Sequence, residues 1–172
     1  MKQIVLLLAL FLVGFSGLKA QEPEKKSRKE IRAERQAQKK EAIKNMLKDT
    51  AFVFKPTHVM PMSGGSKHLN YVYEAEVRND TLASYLPFYG VAYRVDYMAM
   101  NSGLDFVQPI EEYKMEKDKD GYIVLLDVKN KMDFLTYTFH ISDLGYCTLS
   151  VVSTNRQAIS FYGRIEAPEE EK

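Results

Sequence analysis

The chain has little cysteine, no tryptophan and no hydrophobic run long enough to span a membrane. Its one cysteine, Cys147, excludes a disulfide within the chain, so small cystine-stapled domains are excluded and the fold depends on packing. The main apolar run, residues 4–13, has about ten residues, whereas a transmembrane helix needs about twenty. We therefore expect one packed domain without a transmembrane segment.

The amino terminus has the pattern of a secretory signal peptide. Lys2 precedes the apolar run, and small residues follow it up to Ala20. We predict that residues 1–20 are a signal peptide cleaved near Ala20, and that the mature protein is exported to the periplasm or cell envelope. No cysteine stands directly after the cleavage point, so a lipid anchor is not expected. Nucleic acid is not an expected partner for an exported protein.

The net charge of +1 conceals an asymmetry along the chain. Residues 22–49 contain ten basic residues (Lys and Arg) and six acidic residues (Asp and Glu). Residues 51–172 contain twelve basic and seventeen acidic residues. One interpretation is a basic arm that docks on an anionic partner; the other is a solvated helix with interleaved charges. The helix also contains the acidic residues Glu30, Glu34 and Glu41, which reduce its net positive charge. This favours the interpretation as a solvated helix with interleaved charges.

Residues 21–50 are predicted to form a charged helical arm. Ser27 and Glu30 have capping-box spacing, which predicts a helix from about residue 28 to residue 48. Apolar residues are sparse until Ile43, Met46 and Leu47, so only the last two turns have a face to bury.

Residues 51–166 are predicted to form an antiparallel β domain. Apolar and polar residues alternate there, for example across residues 69–77, where Leu69, Tyr71 and Tyr73 share one phase. Turn-forming residues recur between these segments. The predicted class is mainly β, with seven to nine antiparallel strands as a sandwich or flattened barrel after the charged helix. Residues 167–172 are predicted to be an acidic, disordered tail.

One aromatic segment, residues 85–101, interrupts the alternation with Pro87 and Gly90. Its rings either line a cleft, where they stack on a sugar or other flat ligand while an ion pair orients it, or fill the core. The candidate ligand-binding residues of this segment are Tyr85, Phe88, Tyr89, Tyr93, Arg94 and Asp96, with Tyr97 beside them.

A second candidate is the polar block of Asn155 and Arg156 between two predicted strands. Arg156 can bind a carboxylate or phosphate through two hydrogen bonds, so the block can clamp an anion. The other interpretation is that the block ties a turn to a neighbouring strand.

Three blocks of sequence resemble a known family. They are residues 86–90 (LPFYG), 109–113 (PIEEY) and 155–163 (NRQAISFYG). In this order they are similar to a family of exported Bacteroidetes proteins, domain of unknown function 4251. The resemblance implies a location in the envelope of a Gram-negative bacterium and implies no activity, because the family's function is unassigned.

A metal hypothesis concerns residues 58–62 (HVMPM). Alternate residues of a strand face one way, so His58, Met60 and Met62 would converge, and imidazole with thioether sulfur suits reduced copper. The alternative is that the methionines are core residues. His68 and His140 show no metal spacing.

No known catalytic motif is present. The sequence has no G-x-S-x-G, H-E-x-x-H or P-loop pattern, and Cys147 lies in phase with apolar residues, so we expect it to be buried and inert. We predict a non-enzymatic envelope protein without a cofactor, whose β domain binds a small molecule, a glycan or a protein partner. The alternatives are an enzyme with an unrecognised site around Tyr89, Arg94, Asp96 and Arg156, or a copper-binding protein.

Overall fold

The computed structural model describes residues 27–94 and 104–169. The predicted signal peptide, the candidates Asp96 and Tyr97, and the end of the predicted tail at residues 170–172 lie outside the described residues. The chain divides into two compact units, residues 1–33 and 34–172.

One helix, α1, spans Arg28–Lys48 and confirms the predicted helix. Its start is the expected capping box: the Ser27 amide donates to Glu30 Oε2 at 2.7 Å, and the Glu30 amide donates to Ser27 Oγ at 3.3 Å. Ile43 and Leu47 are its buried residues. The apolar face is therefore confined to the last two turns, as the spacing of apolar residues indicates.

Nine antiparallel strands follow among the residues that the structure describes. They are β1 (Phe52–Pro61), β2 (Lys67–His68), β3 (Glu74–Arg78), β4 (Thr81–Tyr85), β5 (Asp105–Asp118), β6 (Gly121–Asn130), β7 (Asp133–Ser142), β8 (Tyr146–Ser153) and β9 (Ile159–Glu166). The sheet order is β2-β1-β3-β4-β5-β6-β7-β8-β9, and β1 also pairs with β9. Eight strands thus close into a barrel, and β2 is an extra strand beside β1. The predicted mainly β class is confirmed. Of the two predicted forms, a sandwich and a flattened barrel, the structure has the barrel.

The barrel interior is filled by the inward-facing side chains of alternate residues. Phe52 and Phe54 from β1 meet Phe139 of β7 edge to face, with ring centroids 5.4 and 5.9 Å apart. Tyr137 stacks on Phe139 with a centroid distance of 6.4 Å. An eight-stranded barrel is just wide enough for such filling. Apolar burial on this scale is the main stabilising contribution to the fold.

Two polar groups inside the core are satisfied locally. Ser84 Oγ donates to the Leu104 carbonyl at 2.8 Å and lies 3.0 Å from the Tyr137 hydroxyl. Burial raises the pKa of Tyr137. Cys147 is buried as its phase predicts, and burial likewise raises the pKa of its thiol.

An irregularity in the register divides β1 into two parts. The pairing of β1 with β9 shifts between Pro56 and His58, which is the pattern of a β-bulge. Phe54 and Pro56 are buried before the shift, and Val59 is buried after it. The extra residue therefore directs His58, together with Met60, to the outer face of the barrel.

The strand register defines two different ends of the barrel. We call one the helix end, because the turns at residues 119–120 and 143–145 lie there with the last turns of α1. At this end the Tyr113 hydroxyl donates to the Leu47 carbonyl at 2.6 Å, and burial raises the pKa of Tyr113 to about 12. We call the other the loop end; it comprises residues 62–73, 86–94, 131–132 and 154–158.

Within residues 27–94 and 104–169, no helix combines the length and the apolar character needed to cross a membrane.

Gly163 is required by the close approach of β9 to β1. A Cβ at this position would overlap the Lys55 carbonyl oxygen and lie 2.7 Å from Pro56 Cα. We predict that Gly163→Ala lowers the free energy of unfolding by about 1–3 kcal/mol, because the two strands must move apart. Urea denaturation measures this loss. Gly65→Ala is the matched control, since no atom lies within 4 Å of its added Cβ, and an equal loss in both variants would contradict the prediction.

Candidate functional site

The strand register brings the described candidate residues to the loop end of the barrel. Tyr85 is the last residue of β4 and pairs with Glu74 on one side and Asp105 on the other. The turn at residues 154–158 joins β8 to β9 at the same end, beside Asp133 at the start of β7. The last turns of α1 lie at the opposite end, so the candidate surface is formed by loops.

Four tyrosines form a surface that we call the tyrosine cluster: Tyr71, Tyr73, Tyr85 and Tyr89. The Tyr73 ring lies 6.2 Å from that of Tyr71 and 5.4 Å from that of Tyr85, with the ring planes tilted by 44° and 35°. Lys67 Nζ lies 4.8 Å from the centre of the Tyr89 ring, in a cation–π contact. The rings of Tyr71, Tyr73 and Tyr85 thus adjoin one another, and Tyr89 has one cation beside its ring.

The tyrosine cluster combines one anchored ring with three accessible ones. Tyr73 is half-buried and packs on the core, whereas Tyr71, Tyr85 and Tyr89 are 75%, 47% and 38% exposed. The pKa of Tyr73 is raised, first by desolvation and then by the neighbouring Tyr89, Tyr85 and Tyr71. The cluster therefore has one ring held against the core and three rings open to solvent.

Two members of the tyrosine cluster were missed by the sequence analysis. The alternation of residues 69–77 predicted one strand with Tyr71 and Tyr73 in its inward phase, but β3 begins only at Glu74 and Tyr71 is exposed. Lys67 was also missed, because the two-residue strand β2 gives no periodic signal. Only the fold places these residues beside Tyr85 and Tyr89.

The polar block after β8 holds the preceding loop by backbone hydrogen bonds. The Asn155 carbonyl accepts from the Tyr93 amide at 2.7 Å and from the Arg94 amide at 3.3 Å. Gln157 Oε1 accepts from the Val91 amide at 3.1 Å. Residues 91–94 are therefore tied to the turn at residues 154–158, while the side chains of Tyr93 and Arg94 remain exposed.

A nearly buried carboxylate organises the same turn. Asp133 accepts hydrogen bonds from Ser153 Oγ at 2.8 Å, Thr154 Oγ1 at 3.0 Å and the Asn155 amide at 3.2 Å. Arg156 Nε lies 3.7 Å from Asp133 Oδ2. The charge of Arg156 is thereby balanced within the protein.

The guanidinium of Arg156 also covers the Phe88 ring, with Cζ 5.4 Å from the ring centre. Phe88 is half-buried and packs on the core. These contacts favour the interpretation in which Asn155 and Arg156 tie a turn over the one in which they clamp an anion.

The metal candidates lie on the outer face near the loop end. His58 and Met60 face outward from β1, and Met62 follows the end of that strand, where it is 74% exposed. His68 of β2 pairs directly with His58, an association that sequence spacing did not indicate. No group of three or more His, Cys, Asp or Glu with metal-binding geometry occurs in the part of the chain that the structure describes.

A groove of about 460 Å³ lies on the outer face of β1, β3 and β4. Its two basic side chains form ion pairs: Lys55 with Glu166 at 3.1 Å, and Arg78 Nε with Glu76 at 2.9 Å. Arg78 also donates to the Glu169 carbonyl at 2.9 Å, which places residues 167–169 against the groove. Lys55 and Arg78 are thus engaged in contacts within the protein.

Comparison with protein families gives a match over residues 34–165 to Domain of unknown function (DUF4251). The chain belongs to the DUF4251 family. The match covers the three blocks on which the resemblance was based and confirms it.

A solved structure shares the fold of this DUF4251 chain: the crystal structure of a DUF4251 family protein from Bacteroides eggerthii. The two chains are 14% identical, the TM-score is 0.55, and the similar region covers 77% of this chain and 91% of the other. This likeness shows the barrel fold and is consistent with a Bacteroidetes family. Comparison with curated proteins gave no match.

Asp133 is expected to be a main support of the loop end in this DUF4251 protein. We predict that Asp133→Ala lowers the free energy of unfolding by about 2–4 kcal/mol, because several donors and the Arg156 guanidinium lose a nearly buried acceptor. Urea denaturation measures the change. Asp143→Ala, which removes only the exposed ion pair with Lys40, is the control and should be much less affected. Equal midpoints for the two variants would show that the Asp133 network is not a stabilising feature.

Proposed function

We propose that this DUF4251 protein is an exported, non-enzymatic binding protein of the bacterial envelope whose tyrosine cluster takes a glycan. The observation that carries the proposal is the grouping of four tyrosines at the loop end, three of them exposed. Aromatic side chains that are exposed together, instead of singly, are a common mark of a binding surface.

The geometry of the cluster suits a ligand with flat, weakly polar faces. A sugar ring presents C–H groups that pack on an aromatic face, while its hydroxyls reach polar groups at the edge of the surface. The rings of Tyr71, Tyr73 and Tyr85 adjoin one another, so they offer successive contacts. The tyrosine hydroxyls and the Lys67 ammonium supply donors at the margins.

The enzyme alternative receives less support from the described residues. Arg156 is paired with Asp133 and packed on Phe88, and Tyr89 lies under Lys67, so these two side chains serve different contacts. Burial and local pairing of this kind are typical of structural residues rather than of acid–base groups poised for reaction. Binding is therefore the function that the geometry supports best.

Removal of an exposed ring should weaken glycan binding without unfolding the barrel. The probe is a panel of soluble glycans, including peptidoglycan fragments and neutral oligosaccharides, screened by thermal shift and followed by calorimetry. For a glycan that binds the wild type, we predict that Tyr71→Ala and Tyr85→Ala each cost about 0.5–1.5 kcal/mol, up to about tenfold in Kd.

Tyr146→Ala is the matched control for this experiment. Tyr146 is 42% exposed, close to the value of Tyr85, but it starts β8 at the helix end of the barrel. Its loss should leave the Kd unchanged. Absence of any stabilising glycan, or equal weakening by all three substitutions, would contradict the proposal. A protein that co-purifies with the wild type and is lost with Tyr71→Ala would identify a protein ligand instead.

Export is tested separately. We predict that expression of the full sequence in a Gram-negative host places the product in the periplasmic fraction with an amino terminus near residue 21, because the leader pattern ends at Ala20. Cell fractionation and intact mass measure this. A cytoplasmic product that retains Met1 would refute the export prediction.

A further inference from the structure

We propose that His58, His68 and Met60 form a copper(I) site on the outer face of the barrel. This proposal is independent of the proposed glycan-binding function and rests on different observations. These observations are a cross-strand pair of histidines, a hydrogen bond that orients one ring, and the absence of acidic groups among the three donors.

The two imidazoles are brought together by strand pairing. His58 of β1 lies opposite His68 of β2, and their ring centroids are 4.9 Å apart, with the planes at 65°. The bulge between Pro56 and His58 is what turns His58 outward, since Pro56 and Val59 on either side are both buried. Two ring nitrogens at this separation can ligate one ion after small side-chain rotations.

A contact with Thr57 orients the ring of His58. Thr57 Oγ1 lies 3.2 Å from the Tyr162 carbonyl, to which it can donate, and 3.0 Å from His58 Nδ1. When the one hydroxyl proton is directed to the carbonyl, the hydroxyl oxygen accepts from His58 Nδ1–H. In that arrangement the lone pair of His58 is on Nε2, as in metal-binding histidines held by an oxygen acceptor on the other nitrogen.

The third donor is the thioether of Met60. It lies two residues beyond His58 on the same face of β1, a spacing of about 6.6 Å along a strand, which the flexible methionine side chain can span. The cross-strand neighbours of these two residues on β9 are Tyr162 and Ser160, which are neither acidic nor basic residues.

The chemistry of the three donor side chains indicates which metal they bind. Two neutral imidazoles and a thioether offer no negative charge and no hard oxygen ligand, so they favour a soft, singly charged ion over Mg²⁺ or Ca²⁺. Thioether sulfur favours copper(I) over zinc, which prefers thiolate, imidazole and carboxylate. Copper(I) is therefore the ion that matches this surface.

The test measures copper(I) affinity by competition with a chromophoric copper(I) chelator under anaerobic conditions. The protein is the chain without a polyhistidine tag. We expect one equivalent of copper(I) to bind, and His58→Ala, His68→Ala and Met60→Leu each to weaken binding by at least about tenfold. Thr57→Val keeps the shape of the side chain and removes the hydrogen-bond partner of His58 Nδ1, so it should weaken binding about tenfold without changing the stoichiometry.

His140→Ala is the matched control. His140 is the remaining histidine, exposed on β7, and pairs with Ile123 and Thr148, so its loss should leave the affinity unchanged. Circular dichroism of each variant verifies the fold. Copper bound equally by the wild type and the His58→Ala/His68→Ala double variant would overturn the proposal. Preference for zinc in a parallel titration would overturn the choice of metal.

Discussion

The pairing of β1 with β9 is the constraint on which the rest of the structure depends. It joins the first strand to the last and extends along β1 from Val53 to Pro61, so the sheet closes on itself. Closure covers the hydrogen-bonding edges that an open sheet would expose. It also converts one face of every strand into a shared interior, where Phe52, Phe54 and Phe139 meet. The β1–β9 pairing in turn depends on Gly163, because only a residue without a Cβ permits the approach of Pro56.

Closure also determines where a binding surface can lie. The interior is occupied by side chains, and the last turns of α1 bury Ile43 and Leu47 at the helix end. The loop end retains exposed side chains on a supported backbone: Asp133 orders the turn at residues 154–158, which in turn holds residues 91–94. A site on loops fixed by such a network is pre-organised, which lowers the entropy lost on binding. The tyrosine cluster and the histidine pair both lie near this end.

The bulge in β1 links the fold to the proposed copper site. A strand without the extra residue would keep strict alternation after Pro56, and His58 would then face the apolar interior. The observed bulge restores burial to Val59 and brings His58 to the outer face, where its ring meets that of His68 on the paired strand β2. The bulge therefore has two effects: it keeps Val59 in the core and it places His58 on the surface.

Features that depend on local order along the chain could be predicted from the residues alone. The capping box of Ser27 and Glu30 predicted the start of α1, the position of Ile43 and Leu47 predicted its buried turns, and two-residue alternation predicted a β domain with Cys147 inside. These features follow from neighbours in the chain, so periodicity and propensity are sufficient to find them.

Contacts between residues of different segments follow from the folded barrel and could not be predicted from the sequence. The neighbours of Tyr85 are Tyr73 and Glu74, the partner of His58 is His68, and Arg156 is opposite Asp133. Each of these pairs joins residues from separate strands or loops, and a shift of the register by one residue would send every side chain to the other face. Strand order and the bulge set that register, and both depend on packing of the whole barrel.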